Sequence, residues 1–215
     1  MRHPLADALR VYLVTDQASL RGRALADVVL AAVQGGVSCV QLREKALPTR
    51  DFVALALAVK NLLAPFDVPL IINDRLDVAL ACGAQGVHLG QSDMPVALAR
   101  QLLPAEVFIG LSVENLSDVA RAAGQPVDYL GISPVYATPT KTDTAAPWGL
   151  AGLRQARALT TLPLVAIGGI HQGNAAELLQ AGADGLAVVS AICSAADPGV
   201  AAQSFKNLFR APASP

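Results

Sequence analysis

Several things are scarce in this chain, and each scarcity excludes a class of protein. Neither sign of charge is in excess: 16 Lys and Arg stand against 17 Asp and Glu, a formal net charge of −1. The basic surface that nucleic acid or an anionic membrane requires is therefore missing. The cysteines Cys39, Cys82 and Cys193 lie far apart without Cys-x-x-Cys spacing, each in or beside an apolar run. They read as buried free thiols rather than a metal site or a disulfide set. No apolar stretch approaches the length of a membrane span, and Met1–Asp7 holds no apolar signal core, so a cytoplasmic protein is expected. Histidine is equally sparse. His3 is near the start, His171 is expected to open a helix, and His88 lies mid-strand, where a hydrogen-bonded core residue is commoner than a base. With no Ser-His-Asp or Cys-His arrangement in view, covalent catalysis by Ser or Cys is not expected.

Aromatic residues make up only 4% of the 215 residues, so the core must come from the plentiful Ala, Val, Leu and Ile. These fall into short apolar runs alternating with alanine-rich helical stretches. Strands are expected at Val11–Thr15, Cys39–Arg43, Pro69–Asn73, Gly86–Gly90, Phe108–Val113, Tyr129–Ser133, Pro163–Gly168 and Gly185–Ser190. Helices are expected at Ala24–Gln34, Thr49–Ala64, Leu76–Cys82, Val96–Leu103, Asn115–Ala123, Leu150–Leu159, Asn174–Ala181 and Gly199–Arg210. Strands that alternate with helices pair in parallel through right-handed crossovers. A faint repeat supports the count: Gly36, Gly83 and Gly182 each follow a helix end and precede a strand, as a left-handed C′ glycine does. Eight even units without a Gly-rich first crossover favour an α/β fold of the closed (β/α)8 TIM-barrel type over an open doubly wound sheet. Without a linker, charge block or low-complexity segment, one domain over residues 1–215 is expected, with a frayed tail at 211–215.

Active sites of this fold sit at the C-terminal ends of the strands. Those ends carry Asp16; Gln41, Arg43 and Lys45; Asn73 and Asp74; Gln91 and Asp93; Ser112; Ser133; Gly168 and Gly169; and Ser190. Alternation along a strand puts Gln41, Arg43 and Lys45 on one face, and buried cations there need an anion to meet. Asp74 and Asp93 could pair with Arg43, Arg75 or Lys45; together with Asn73 and the cations they make a Mg2+ site, since that ion takes one or two carboxylates plus phosphate oxygens. Thr138-Pro139-Thr140-Lys141 lies in a hydroxyl-rich loop that is either a solvated surface segment or a grip on phosphate. Gly168-Gly169 could be a tight turn, but with Ser190 it occupies the usual barrel phosphate site.

Assembled, the motifs Gln41-Leu42-Arg43-Glu44-Lys45, Asn73-Asp74-Arg75, Gly86–Gln91 with Asp93, Ser112, Asp128–Gly131, Thr138–Lys141, Ala166–Ile170 and Val188–Ile192 resemble the thiamine-phosphate synthase family, in order from about residue 11 to residue 192. One departure is Ser133, where that pattern more often has glycine. The resemblance implies a transferase that joins 4-amino-2-methyl-5-hydroxymethylpyrimidine diphosphate to a carboxylated thiazole phosphate, releasing diphosphate and CO2. It further implies that Gln41, Leu42, Arg43, Glu44, Lys45, Asn73, Ser112 and Lys141 bind the pyrimidine diphosphate, with Arg43, Lys45, Ser112 and Lys141 acting in catalysis. Asp74 and Asp93 would hold Mg2+, and Thr138, Pro139, Thr140, Gly169, Val189 and Ser190 would hold the thiazole phosphate. The partners expected are thus two small phosphorylated substrates, with neither nucleic acid nor membrane, and the oligomeric state is left open. Three other readings remain at this point: a thiazole tautomerase of the same superfamily, a lysine Schiff-base aldolase using Lys45 or Lys141, and a non-catalytic phosphate-binding barrel that needs no metal.

Overall fold

The eight strands found in the computed structural model, which describes residues 4–138 and 146–209, are β1 (Val11–Val14), β2 (Cys39–Leu42), β3 (Leu70–Asn73), β4 (Gly86–Leu89), β5 (Phe108–Val113), β6 (Tyr129–Ile132), β7 (Leu164–Ile167) and β8 (Gly185–Val188). All pair in parallel in chain order, and β8 returns to β1 to close the barrel. The expected (β/α)8 architecture is therefore the one observed. Around it lie α1 (Pro4–Ala8), α2 (Leu25–Gly35), α3 (Thr49–Leu63), α4 (Leu76–Cys82), α5 (Val96–Leu102), α6 (Leu116–Ala122), α7 (Gly149–Leu159), α8 (Ala175–Gln180), α9 (Ser190–Cys193) and α10 (Pro198–Leu208). The expected tail at 211–215, and Arg210 as a helix end, lie outside the described residues, as do Pro139, Thr140 and Lys141.

Alternation along the strands produces two separate apolar clusters. Val11, Leu13, Val40, Leu42, Leu70, Ile72 and their counterparts face outward and pack against the helices. Those helices present matching faces: α3 buries Phe52, Ala56, Val59 and Leu63 at helical spacing. The inward set is smaller and holds Tyr12, Val14, Cys39, Ile71, Tyr129, Val165 and Ala187. Glycine makes the narrow interior fillable. A Cβ on Gly110 would lie 2.1 Å from the Tyr129 ring, and one on Gly86 would lie 2.4 Å from Phe108. Large and small residues thus alternate across facing strands. Gly36, Gly83 and Gly182 have φ of 110°, 62° and 108°, the left-handed C′ role expected of them.

Several expected strands run one or two residues too long. The Arg43 N–H donates to the Thr15 hydroxyl at 3.0 Å instead of to a strand carbonyl, so β2 leaves the ladder after Leu42. Arg43 and Lys45 are consequently loop residues, and strand alternation places only Gln41. Ser190, expected at the end of β8, instead begins α9. His171 does not open a helix; α8 starts at Ala175, after a turn in which the His171 N–H donates to Asn174 Oδ1 at 2.9 Å. The two helices that sequence periodicity overlooks, α1 and α9, have five and four residues, too few to show a 3.6-residue period.

Beneath the barrel, α1 acts as a plug. Leu9, just after it, is fully buried with Tyr12, Cys39, Ile71 and Val165, and Leu5 packs on the same group. Leu9→Ala should lower stability by about 2–5 kcal/mol, the usual cost of a buried leucine truncated in a close-packed core. Urea denaturation would read it, and ligand affinity at the opposite mouth should be unchanged.

Candidate active site

All the C-terminal strand ends open into one cavity of about 1220 Å³. Its lining includes Gln41, Arg43, Lys45, Asn73, Asp74, Asp93, Ser112, Thr138, Gly169, Val189 and Ser190, so the described residues expected at a site are brought together with two exceptions. Leu42 is buried in the outward layer between strands and helices. Glu44 turns its carboxylate back onto its own loop, where Oε1 accepts the N–H groups of Lys45 at 2.7 Å and Ala46 at 2.8 Å. That bond shapes the loop carrying Lys45.

The cavity has two electrostatic districts. On the β1–β4 side, Lys45 donates to Asp74 Oδ2, and Arg43 Nη1 meets Asp16 Oδ1 at 3.3 Å. Asp16 is itself held by Ser19, whose N–H and hydroxyl donate to its other oxygen. Arg75, considered as a partner for the site carboxylates, turns away instead to Asp77 and Thr49. Asp74 has φ of 61°, an uncommon backbone for an aspartate, and its N–H donates to the His88 carbonyl at 2.9 Å. The chain bends there so that the Asp74 carboxyl faces Asp93. The Asp93 carboxyl accepts the Gly90 N–H at 2.6 Å. Burial, reinforced by Asp74, pushes the Asp93 carboxyl above its ordinary pKa, while the Gly90 N–H and Lys45 pull the other way. Two carboxylates sharing a single lysine are under-neutralised, and an oxygen donor set of this kind suits a small hard cation. Among the described residues no three His, Cys, Asp or Glu side chains form a protein-only metal cage. Any ion here would have to complete its shell with water and ligand oxygens.

Among the described residues, no carboxylate lines the cavity on its β6–β8 side. Gly168 and Gly169 have φ of 104° and 64°, and a Cβ on Gly169 would lie 2.7 Å from the Ala137 carbonyl oxygen. Only glycine fits where the two loops cross, leaving backbone exposed to the cavity. Asn174 fixes that turn by donating to the Gly169 carbonyl at 2.9 Å. The far end of α9, the short helix that Ser190 begins, is tied to the segment after β1 by Arg23, which donates to the carbonyls of Leu20, Cys193 and Ala195. Arg23 and Asn174 are not legible as site residues from the sequence. Neither lies at a strand end, and nothing in their local pattern signals the bond.

The floor is polar. His88 Nδ1 lies 2.8 Å from the Tyr129 hydroxyl and Nε2 lies 2.9 Å from Ser112 Oγ. His88 is hydrogen-bonded, as expected, yet it also lines the cavity. Tyr12 and Tyr129 also belong to this floor, and their one signal in the sequence is that both fall on inward positions of otherwise aliphatic strands. Ser133 lines the same cavity.

The chain is similar to known proteins over most of its length. Residues 11–192 match the family described as thiamine monophosphate synthase. A thiamine-phosphate synthase of Albidiferax ferrireducens is 74% identical over 204 residues, covering 95% of this chain and 93% of the relative. One of Vibrio campbellii is 52% identical over 205 residues, covering 95% and 100%. Among solved structures, a thiamine phosphate pyrophosphorylase from Pyrococcus furiosus superposes with a TM-score of 0.87 at 35% identity, covering 96% of this chain and 98% of that one. A 3-hexulose-6-phosphate synthase, at 18% identity and a TM-score of 0.67, shares the fold.

Because Asp93 and Asp74 repel one another, Asp93→Asn should raise the melting temperature of the metal-free protein at neutral pH, the amide oxygen still accepting from Gly90. A lower melting temperature in a thermal scan would show that the two carboxyls are not in conflict.

Proposed function

This chain belongs to the thiamine monophosphate synthase family, and from that premise we propose that it condenses 4-amino-2-methyl-5-hydroxymethylpyrimidine diphosphate with carboxythiazole phosphate, giving thiamine phosphate, diphosphate and CO2 in the cytoplasm. The observation that supports this reading is that one cavity holds Arg43 and Lys45 with the carboxylates on one side and the Gly169 turn with Ser190 on the other, room for two separate anion subsites. A barrel for one phosphorylated ligand would need only the second.

In this reading Gln41–Lys45, Asn73, Ser112 and Lys141 bind the pyrimidine diphosphate, and Thr138, Pro139, Thr140, Gly169, Val189 and Ser190 bind the thiazole phosphate. Leu42 contributes through its main chain and Glu44 through the loop that it shapes. Asp74 and Asp93 fit Mg2+, which when bound would add positive charge beside the diphosphate oxygens. The carbon–oxygen bond to diphosphate breaks, leaving a methylene cation that the pyrimidine 4-amino group delocalises. The thiazole nitrogen captures that cation, and decarboxylation follows. Arg43, Lys45 and Lys141 hold cationic charge where negative charge grows on the leaving group, an arrangement that favours the transition state over the bound substrate. Val14, Val165, Ile167, Ala187 and Val189 give the deeper wall an apolar character that keeps water from the cation. No protein base is needed, consistent with a site whose one floor histidine has both ring nitrogens engaged.

Incubation with both substrates and Mg2+ should yield thiamine phosphate and diphosphate by mass spectrometry. Isomerised thiazole carboxylate with no diphosphate released would replace this reading with a tautomerase.

Two variants separate the subsites. Lys45→Ala should lower kcat by about 10²–10³-fold, the cost of removing one preorganised group aimed at developing charge. Ser190→Glu should raise KM for the thiazole phosphate while leaving pyrimidine-diphosphate affinity almost unchanged, because the new charge faces only one of the two phosphates. The reverse pattern in steady-state kinetics would mean that the subsites are exchanged.

A further inference from the structure

We infer that a hydrogen-bonded chain across the cavity floor, Gln41–Tyr12–Tyr129–His88–Ser112, fixes the direction of the Ser112 hydroxyl, holding its proton toward the cavity as a donor to the substrate diphosphate. Tyr12, Tyr129 and His88 are then positioning residues. The inference deepens the proposed function and rests on its assignment of Ser112 to the pyrimidine diphosphate.

The five residues come from five strands, β2, β1, β6, β4 and β5, and the Tyr12–Tyr129 link spans the barrel. Followed outward from Gln41, with each phenol donating to the next member, the protons run in a single direction. Gln41 Nε2 can only donate, and it does so to the Tyr12 oxygen at 2.6 Å. Both phenols are fully buried, and burial above all pushes their hydroxyls well above the ordinary range, so each keeps its single proton. The Tyr12 proton has the Tyr129 oxygen at 2.9 Å as acceptor. Tyr129 spends its own proton on His88 Nδ1 at 2.8 Å. An accepting Nδ1 carries no hydrogen, so a neutral imidazole holds its proton on Nε2 and donates it to Ser112 Oγ at 2.9 Å. The serine oxygen is then an acceptor toward His88, and its own proton is left for the cavity that it lines.

The direction matters because diphosphate oxygens accept and do not donate. A serine that spent its proton on His88 would present them only lone pairs. Donor-to-acceptor order along a chain also strengthens each link by polarisation, so the terminal hydroxyl is a better donor than an isolated serine. The backbone makes room for this arrangement. Beyond Gly110, whose missing side chain admits the Tyr129 ring, a Cβ on Gly131 would sit 3.0 Å from His88 Cε1.

Nitrogen-15 NMR of the unliganded wild-type protein tests the chain directly, with His171→Gln to assign the ring signals. The expected spectrum shows His88 neutral, protonated on Nε2 and bare on Nδ1. A proton on Nδ1 overturns the inference without any variant being made. Tyr129→Phe should then give a mixture of tautomers. Its kcat should fall about tenfold, a loss the size of one hydrogen bond, while KM for the thiazole phosphate stays within about twofold. In a Ser112→Ala background the same substitution should cost nothing further, because the chain acts only through that hydroxyl. An equal loss in both backgrounds would make Tyr129 a packing residue and overturn the inference. Failure of the wild type to release diphosphate would instead overturn the functional reading, leaving the NMR result intact.

Discussion

Closure of the parallel ladder is the constraint on which the rest depends. Because β8 pairs with β1, each strand has one face toward a confined axis and the other toward the helices, and every C-terminal end arrives at the same mouth. Residues distant in sequence thereby become neighbours: Tyr12 and Tyr129 are 117 positions apart and share a hydrogen bond. The same closure limits interior volume, which is why inward positions mix tyrosine with glycine and why the polar floor can be dense without leaving an obvious orphan there. Among the described residues, the buried side-chain polar atoms without a partner are Arg10 Nε and Trp148 Nε1, and neither belongs to the floor chain.

The charges at the mouth contribute little to stability. The Lys45–Asp74 pair is more than half exposed on the lysine side, and such pairs typically stabilise by about 0–1 kcal/mol. Their value lies in arrangement. Arg43 and Lys45 are each paired before ligand arrives, so the cations are already oriented and need only exchange a carboxylate for a phosphate oxygen. Asp74 holds an unfavourable φ, and Asp93 holds a carboxyl that burial disfavours. Both are local costs at a functional mouth, carried by a core of close-packed aliphatic residues beneath it.

Much of this was legible in the sequence. The eight strands, the crossover helices and the left-handed glycines follow from apolar period and from helix-stop chemistry, which are local. The strand-end residues followed from the fold, and the described ones meet at one cavity except Leu42 and Glu44. Their misfit has a simple cause: a contiguous motif was read as one functional block, whereas alternation sends Leu42 to the opposite face of the sheet and Glu44 back to its own loop. What stayed hidden are long-range side-chain bonds. Nothing near Arg23 announces carbonyls some 170 residues away. Nothing near Tyr12 announces Tyr129. The short helices α1 and α9 were invisible because one turn has no period to detect.

The seam between β1 and β8 has a consequence for synthesis. Val11 pairs with Leu186 and Leu13 with Val188, so one edge of the first strand stays without its partner until nearly the whole barrel has left the ribosome. An unpaired, fully apolar edge is a template for wrong pairing. Here that edge is short, four residues, and α1 lies immediately before it. The shortness of that edge limits what can pair with it wrongly, and the time for which it stays open is set by how fast the remaining strands are translated.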